Sequence, residues 1–259
     1  MSSLIHPTAI IHPSARIAEG VEVGAYSVIG ADVSIGCNSW IGPHVVIEGP
    51  THIGEENRIY QFASLGAAPQ DKKFQGEATE LIIGDRNVIR ECCTLNRGTI
   101  QDKGQTIIGN DNWIMAYVHI AHDCLVGNNT IFANSATLAG HVEIRDWVIL
   151  GGFTLVHQFC TIGEHAFTGM GSAISKDVPP FAMVSGAPAE PHSVNLEGLK
   201  RRGFNKEAMH RIKEAHRVLY RQHLPIQEAL DKIQEQWGEH DDIQLLLEFC
   251  RNSQRGLIR

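Results

Sequence analysis

Residues 118–158 read VHIAHDCLVGNNTIFANSATLAGHVEIRDWVILGGFTLVHQ, and this stretch decides the fold. A large apolar residue recurs at every sixth position. A period of six matches neither an α-helix nor a flat strand, but it is typical of a parallel β-helix built from hexapeptides. These recurring residues, called spokes below, are Ile120, Val126, Phe132, Leu138, Ile144, Leu150 and Val156.

A coil of this kind brings residues that are distant in sequence into contact. If three hexapeptides make one triangular turn, residues eighteen apart lie above one another, separated by one strand spacing of about 4.8 Å. This stacking predicts a column that contains His122, Gly140 and Gln158, with Asp123 and His141 in the next column. A possible base, a bare glycine amide and an amide side chain are therefore expected to meet at one corner.

The same period begins near the start of the chain. Eleven consecutive hexapeptides run from Ile5 to Leu65, and glycine often follows the spoke, as in Ile29-Gly30. We expect the spoke to fill the interior of the coil and the glycine after it to let the chain turn the corner. Such regularity is specific for a hexapeptide coil.

The period is interrupted twice before it ends. Residues 66–82 are polar and are expected to form a loop that leaves the coil, a common place for binding residues. A second break at residues 101–105 shifts the phase by one residue, and Thr168 is a weak spoke. The prolines within residues 177–180 end the array, since proline cannot donate to a strand ladder. Residues 1–180 are therefore expected to form the coil.

The rest of the chain is expected to be mainly helical. A connector rich in proline and glycine spans residues 181–194, and residues 195–259 have the apolar spacing of amphipathic helices. Asn195 and Asn205 are suitable N-caps for the first two helices, and Pro225 is suited to open a third.

Composition excludes several classes of protein. The net charge of −7 argues against binding of nucleic acid through bulk electrostatics. The sequence has no apolar run long enough for a membrane span and no signal peptide at its start. The six cysteines are scattered and lack zinc-type spacing. We therefore expect a cytoplasmic protein with reduced thiols.

Six motifs in this order resemble those of the UDP-N-acetylglucosamine acyltransferases of lipid A synthesis: QDKK, HIAHDC, LAGHV, VHQFC, NLEGLKRRGF and RGLIR. The resemblance covers the whole chain. It implies an all-β left-handed parallel β-helix of hexapeptide repeats with a C-terminal α-helical domain. It also implies a homotrimer, with clefts between subunits, that moves a 3-hydroxyacyl chain from acyl carrier protein to the 3-hydroxyl of UDP-N-acetylglucosamine, the first step of lipid A biosynthesis. No metal or organic cofactor is implied.

The resemblance assigns three catalytic residues. His122 matches the general base of the family. An imidazole with a pKa of about 6.5 is suited to this role, since it can take the proton of a sugar hydroxyl in the transition state. Asp123 matches the carboxylate that orients this base. Gly140 matches the glycine whose N–H group forms the oxyanion hole, a contribution of about 3 kcal/mol.

The resemblance also implies a set of substrate contacts. Loop residues reach the sugar and the acyl chain from a neighbouring subunit, histidines line the nucleotide-sugar cleft, and residues after the coil hold the nucleotide, with Arg202 paired to phosphate. Lys200 and Arg201 are also suited to receive the acidic carrier protein. The expected contacts are Gln70, Asp71, Lys73, His119, His141, His157, Gln158, Asn195, Glu197, Arg201 and Arg202.

Two further positions bear on specificity. Met170 matches the position that limits acyl length in this family, and a methionine there predicts a chain of about ten carbons. The alternative is a methionine that fills a gap in the core. Asn96 stands where the family often has histidine, so no histidine role is assigned there.

Three other functions fit the repeat. The related enzyme that N-acylates the 3-O-acylated sugar has a globular domain before its coil, whereas hexapeptides begin here at Ile5. A γ-type carbonic anhydrase would use His119, His122 and His141 as zinc ligands. A purely structural solenoid would need none of these side chains. Zinc analysis and an activity assay would separate these alternatives.

Overall fold

The computed structural model describes residues 4–259. Residues 10–174 form a coil of very short strands, most of them two residues long, joined by tight turns. The strands are β1 (Ile10–Ile11), β2 (Arg16–Ile17), β3 (Glu22–Val23), β4 (Val28–Ile29), β5 (Val33–Ile35), β6 (Trp40–Ile41), β7 (Val46–Ile47), β8 (Thr51–Ile53), β9 (Arg58–Ile59), β10 (Ser64–Ala67), β11 (Glu80–Ile83), β12 (Val88–Ile89), β13 (Thr94–Asn96), β14 (Gln105–Ile108), β15 (Trp113–Ile114), β16 (His119–Ile120), β17 (Leu125–Val126), β18 (Ile131–Phe132), β19 (Thr137–Leu138), β20 (Glu143–Ile144), β21 (Ile149–Leu150), β22 (Leu155–Val156), β23 (Thr161–Ile162), β24 (Phe167–Thr168) and β25 (Ala173–Ile174).

Every third strand of the coil lies in the same sheet. One sheet runs from β1 through β4 and β7 to β25, the second runs from β2 to β23, and the third runs from β3 to β24. Within the coil all pairings are parallel. Three hexapeptides therefore complete one turn, and the predicted parallel β-helix is confirmed.

The register of the strands follows the sequence period. His119 pairs with Thr137, and Thr137 pairs with Leu155, so stacked residues are eighteen apart. Two insertions change this separation: Ser64 pairs with Thr94, thirty residues on, and Thr94 pairs with His119, twenty-five residues on. The first insertion therefore adds twelve residues, which is two hexapeptides. The second adds seven, which gives the predicted shift of one residue.

The spokes form one continuous apolar core inside the coil. All seven spokes of residues 118–158 are buried, and Phe132 is among the largest fully buried side chains. The weak spoke Thr168 is also buried, and its hydroxyl is satisfied by Thr154 Oγ1 at 2.7 Å and by the N–H of Gly151 at 3.0 Å. All six cysteines are free, and four of them are buried.

The corners of the coil turn differently from our expectation. The residue in the left-handed region is the third after the spoke, as in Asp123 (φ 59°) and His141 (φ 63°), rather than the glycine directly after it. Gly36, which follows a spoke, is needed for another reason: a Cβ there would lie 2.6 Å from the backbone carbonyl of Gly54 in the next turn. Glycine after the spoke thus permits close stacking of turns.

Residues 181–194, expected to be a connector, form an antiparallel hairpin of β26 (Ala182–Gly186) and β27 (Ala189–Val194). Strand β26 continues the third sheet by pairing with β24. The hairpin therefore extends one face of the coil and carries the chain to the first helix.

Four helices follow: α1 (Leu196–Arg201), α2 (Lys206–Arg221), α3 (Ile226–Trp237) and α4 (Asp241–Asn252). The predicted caps are confirmed, because the side-chain oxygens of Asn195 and Asn205 accept hydrogen bonds from the N–H groups of Gly198 and Ala208. Within residues 4–259, none of the helices combines the length and apolarity that crossing a membrane requires.

The helices pack into a second apolar cluster that includes Phe181 of the coil end. The last residues return to the coil, where Asp177 pairs with Leu257 and accepts hydrogen bonds from the hydroxyl of Ser253 at 2.6 Å and the N–H of Arg255 at 3.2 Å. These contacts tie the helical segment to the end of the coil.

Candidate active site

His122 lies at the corner between β16 and β17, and its position is fixed by the residue that follows it. The Nδ1 atom of His122 lies 2.8 Å from a carboxylate oxygen of Asp123, which is fully buried. Thr99 donates three further hydrogen bonds to this carboxylate, two from its N–H group (3.0 and 3.1 Å) and one from its hydroxyl (2.7 Å). These hydrogen bonds hold the Asp123 carboxylate in contact with the imidazole of His122.

The surroundings of Asp123 keep it ionised. Burial raises its pKa, but hydrogen bonds from His122 and Thr99 outweigh that effect and leave the pKa of the carboxyl below its usual range. A carboxylate can only accept hydrogen bonds. His122 must then carry its proton on Nδ1, which leaves Nε2 with a free lone pair, as a general base requires.

Gly140 lies directly beside this imidazole, as the stacking of residues eighteen apart predicts. A Cβ at Gly140 would lie 2.6 Å from Cε1 and 2.7 Å from Nε2 of His122. Only glycine lets the ring lie so close to the next turn. Within residues 4–259 the N–H group of Gly140 has no hydrogen-bond partner, so it is able to donate to a ligand.

His141 stands at the neighbouring position of the same corner. Its ring stacks on Phe159 with centroids 4.4 Å apart and meets the His122 ring edge-on at 5.0 Å. Its Nδ1 atom lies 2.8 Å from a carboxylate oxygen of Asp102. The residue Gln158, expected beside Gly140, is exposed.

His119 and His157 line a mainly apolar groove of about 520 Å³ on the face of the coil above the corner. The groove is floored by residues of β19, β22 and β25, including Leu155 and Ala173. Nδ1 of His119 lies 2.7 Å from the hydroxyl of Thr94. Burial, together with the nearby His122, lowers the pKa of His119, so we expect this side chain to be neutral. The groove has the apolar character that an alkyl chain requires.

Met170 lies at the corner that precedes β25, and 81% of its surface is exposed. The alternative that it fills a gap in the core is therefore wrong. Its side chain is available to contact a ligand or another subunit.

The expected loop residues leave the coil two turns before His122. Gln70 and Lys73 are exposed, and a carboxylate oxygen of Asp71 accepts a hydrogen bond from the N–H of Lys73 at 3.0 Å. Within residues 4–259 no hydrogen bond or ion pair joins these three side chains to His122. A single chain thus leaves them apart from the base.

Two residues that sequence reasoning did not assign hold the base of this loop. Asn96, in place of the family's histidine, donates to the carbonyl of Ala68 at 3.0 Å. Arg97 donates to the carbonyl of Gly66 at 2.9 Å, and its guanidinium lies 5.6 Å from the ring centre of Phe74 within the loop. The only sequence signal was their position next to a break in the period.

The residues expected at the nucleotide end surround helix α1. Glu197 and Arg201 form an exposed ion pair at 2.9 Å. Arg202 stacks over Trp147, with its guanidinium carbon 5.1 Å from the ring centre. Asn195 is buried, and its amide group donates to the carbonyl of His165 at 2.9 Å in addition to capping the helix. Its contact with a nucleotide remains a prediction.

His165 was not assigned by sequence reasoning, although it contacts Arg202, one of the residues expected at the nucleotide end. Its Nδ1 lies 3.0 Å from a guanidinium nitrogen of Arg202. Burial, and then the charge of Arg202, lower the pKa of His165 to about 4. A neutral His165 therefore accepts a hydrogen bond from Arg202 and helps to hold the guanidinium in place.

A metal site was a competing interpretation of the histidines. Among residues 4–259, one group of His, Cys, Asp or Glu side chains has the compactness of a metal site: His122, Asp123 and His141, with ligand atoms within 4.8 Å of one another. His119, which the carbonic anhydrase alternative requires, does not belong to this group.

Comparison with known proteins gives concordant results along the chain. A model for bacterial transferase hexapeptide repeats matches residues 32–67 and 105–140, and one for domain 2 of UDP N-acetylglucosamine O-acyltransferase matches residues 177–258. The acyl-[acyl-carrier-protein]–UDP-N-acetylglucosamine O-acyltransferase of Thiobacillus denitrificans is 58% identical over 255 residues, covering 98% of this chain and 99% of that protein.

Comparison with solved structures leads to the same family. LpxA of Acinetobacter baumannii superimposes with a TM-score of 0.97 at 45% identity and covers 99% of this chain and 100% of that one. The UDP-N-acetylglucosamine acyltransferase of Francisella novicida superimposes with a TM-score of 0.96 at 43% identity, covering 98% and 94% respectively. The predicted left-handed parallel β-helix with a C-terminal helical domain is confirmed.

Proposed function

Because the chain belongs to the UDP-N-acetylglucosamine O-acyltransferase family, it is an acyltransferase, and we propose that His122 is its general base. The reaction moves a 3-hydroxyacyl chain from acyl carrier protein to the 3-hydroxyl of UDP-N-acetylglucosamine, as the first step of lipid A biosynthesis. We place this reaction in the cytoplasm. The alternatives that change the reaction do not agree with relatives of this identity and coverage.

The proposed step uses three groups of the corner. Nε2 of His122 takes the proton of the sugar hydroxyl while the hydroxyl oxygen attacks the acyl carbonyl carbon. The N–H group of Gly140 stabilises the oxyanion that forms, which is worth about 3 kcal/mol. When the new C–O bond is complete, the bond to the carrier breaks, and protonated His122 returns its proton to the departing group.

One observation carries this proposal: a charged, buried Asp123, held by Thr99, fixes the tautomer of His122 directly beside a glycine with a free N–H group. Base and oxyanion donor thus lie on adjacent turns of a rigid scaffold. Such an arrangement needs little reorganisation when charge develops in the transition state.

We further propose that the active enzyme is a homotrimer. The polar side chains of Gln70, Asp71 and Lys73 leave the coil and make no polar contact with the base of their own chain within residues 4–259. A neighbouring subunit is therefore the natural place for them to act. The other substrate contacts inferred from the family are assigned to the corner, the groove and helix α1 as described above.

We also propose a short acyl chain of about ten carbons, and the axial position of Met170 supports it. Met170 lies 48 residues after His122, or 2.7 turns, which corresponds to about 13 Å along the axis at about 4.8 Å per turn. An extended alkyl chain gains about 1.3 Å per carbon, from a bond of about 1.5 Å and an angle of about 111°. A chain of about ten carbons matches the axial part of this separation. The two residues lie at different corners, on either side of the sheet that contains β16 and β25, and the exposed Met170 is suited to block the end of the chain.

The decisive experiment is a transferase assay with UDP-N-acetylglucosamine and 3-hydroxyacyl carrier proteins of graded chain length. His122→Ala should lower kcat by about 10²- to 10⁴-fold, the usual contribution of a general base. His12→Ala, an exposed histidine near the start of the coil, is the matched control and should keep wild-type activity. Full activity in His122→Ala, or stoichiometric zinc required by active protein, would contradict the proposal.

A further inference from the structure

The second insertion in the coil forms a turn that lies across the catalytic corner. This turn, residues 99–104, connects β13 to β14 and makes three side-chain contacts with later turns of the coil. The hydroxyl of Thr99 donates to Asp123, Asp102 contacts His141, and Lys103 pairs with Glu143 at 3.6 Å. The last two contacts reach His141 and Glu143, which are two residues apart and lie near His122.

We propose that Asp102 is a positioning residue for substrate binding, which acts by fixing the orientation and tautomer of His141. The proposal rests on the proposed function only for the identity of the ligand, UDP-N-acetylglucosamine. Asp102 belongs to the 99–104 turn and not to the hexapeptide framework, so its carboxylate is an addition to the corner that the repeat itself does not supply.

The geometry determines which atom of His141 is free. The Asp102 oxygen lies 2.8 Å from Nδ1, closer than the Asp123 oxygen at 3.9 Å, and accepts a hydrogen bond from it, so Nδ1 carries the proton. A flip of the ring would replace Nδ1 by Cδ2 and lose this contact, and Phe159, stacked with its ring centroid 4.4 Å away, also restricts movement of the ring. Nε2 of His141 is then left as an acceptor for a hydroxyl or N–H group of the sugar.

A second residue commonly orients a histidine that must present one particular ring nitrogen. The hydrogen bond made by one ring nitrogen sets the state of the other. Asp102 thus has the same relation to His141 that Asp123 has to His122, although the two carboxylates come from different elements. The 99–104 turn contributes to both pairs, through Thr99 and through Asp102.

The first test measures the tautomer directly. In ¹⁵N-labelled protein at neutral pH, the ring nitrogens of His141 should show a protonated Nδ1 and an unprotonated Nε2. Asp102→Ala should move the ring towards the Nε2–H form, whereas Gln101→Ala, an exposed residue of the same turn, should leave it unchanged. An Nε2–H ring in the wild-type protein would overturn the proposal. This measurement needs no turnover, so it stands even if the transferase assay fails.

The second test separates positioning from folding. Asp102→Ala should raise the Kd and KM for UDP-N-acetylglucosamine about tenfold, as loss of one well-placed hydrogen bond to the ligand does, with kcat within about twofold of wild type. In a His141→Ala background the same substitution should change Kd by less than about twofold, because the two residues act as one unit. An equal effect of Asp102→Ala in both backgrounds would show that the turn acts only through general stability and would overturn the proposal.

Discussion

Replacing Gly140 by alanine tests the catalytic corner with a single methyl group. The new Cβ would lie 2.6 Å from Cε1 and 2.7 Å from Nε2 of His122. Carbon atoms in contact prefer separations of about 3.5 to 4.0 Å. The backbone of Gly140 is fixed by the coil, so the imidazole has to move by about 1 Å to restore an ordinary contact.

A displacement of this size is costly for catalysis and cheap for folding. Moving the ring stretches the hydrogen bond of 2.8 Å between Nδ1 and Asp123 and carries Nε2 away from the substrate. A misplacement of about 1 Å lowers rates by about 10²-fold, equivalent to about 2.7 kcal/mol of transition-state stabilisation. The ring is the end of a side chain, so the fold should tolerate the shift.

The assay is steady-state kinetics with UDP-N-acetylglucosamine and the preferred acyl carrier, together with thermal unfolding. We expect kcat of Gly140→Ala to fall about 10²-fold with an unchanged unfolding midpoint. Gly152→Ala is the matched control, because its Cβ would meet only the carbonyl of Asn134 at an ordinary 3.4 Å. A folded Gly140→Ala variant that keeps more than about half of the wild-type kcat would refute the reasoning, since the base would then not need its present position.

Two further predictions concern Met170 in the coil and His216 in helix α2. Met170→Gly should shift the preference from about ten carbons towards about fourteen, because one blocked turn of about 4.8 Å is worth roughly four carbons; an unchanged profile across graded acyl carriers would disprove the role of this residue. Burial, and then Arg221, lower the pKa of His216 to about 4 in the folded protein, whereas the unfolded value is about 6.5. Stability linked to His216 is therefore complete above pH 6.5 and is lost as the pH falls towards 4, because the unfolded chain binds the proton first. Between pH 7 and pH 5 the loss should be about 1 to 2 kcal/mol, given partial exposure of the ring, and it should be absent in His216→Leu by urea denaturation.

The fold could be predicted from sequence because one physical requirement repeats every six residues. Each spoke, such as Ile120 or Leu138, must fill the same interior, so its period is visible without any structure. Our expectation that the glycines after the spokes let the chain turn the corners was wrong. Gly36 follows a spoke because the next turn lies too close for a side chain, while residues such as His141 adopt the left-handed conformation of the corner. Spacing alone does not separate these two requirements.

The contacts of the site also fall into two groups: those set by the repeat, which were predictable, and those set by other segments, which were not. The contact between His122 and Gly140 follows from the register of eighteen residues, and it was predictable from arithmetic. The contacts made by Thr99 and Asp102 were not, because they come from an insertion whose path is independent of the repeat. His165 was missed for a different reason: its role depends on Arg202, a residue of the helical segment, and no period relates the two.

The stacking of turns makes distance along this enzyme a discrete quantity. Under the role proposed for Met170, adding or removing one complete turn between His122 and Met170 would change the room for the acyl chain by about 4.8 Å, a coarse step that leaves every core contact within each turn intact. Under the same proposal, exchange of the exposed corner side chain of Met170 would adjust this length without changing the core. The proposed role of Met170 therefore implies two independent ways to change the acyl length, and neither requires the scaffold to be repacked.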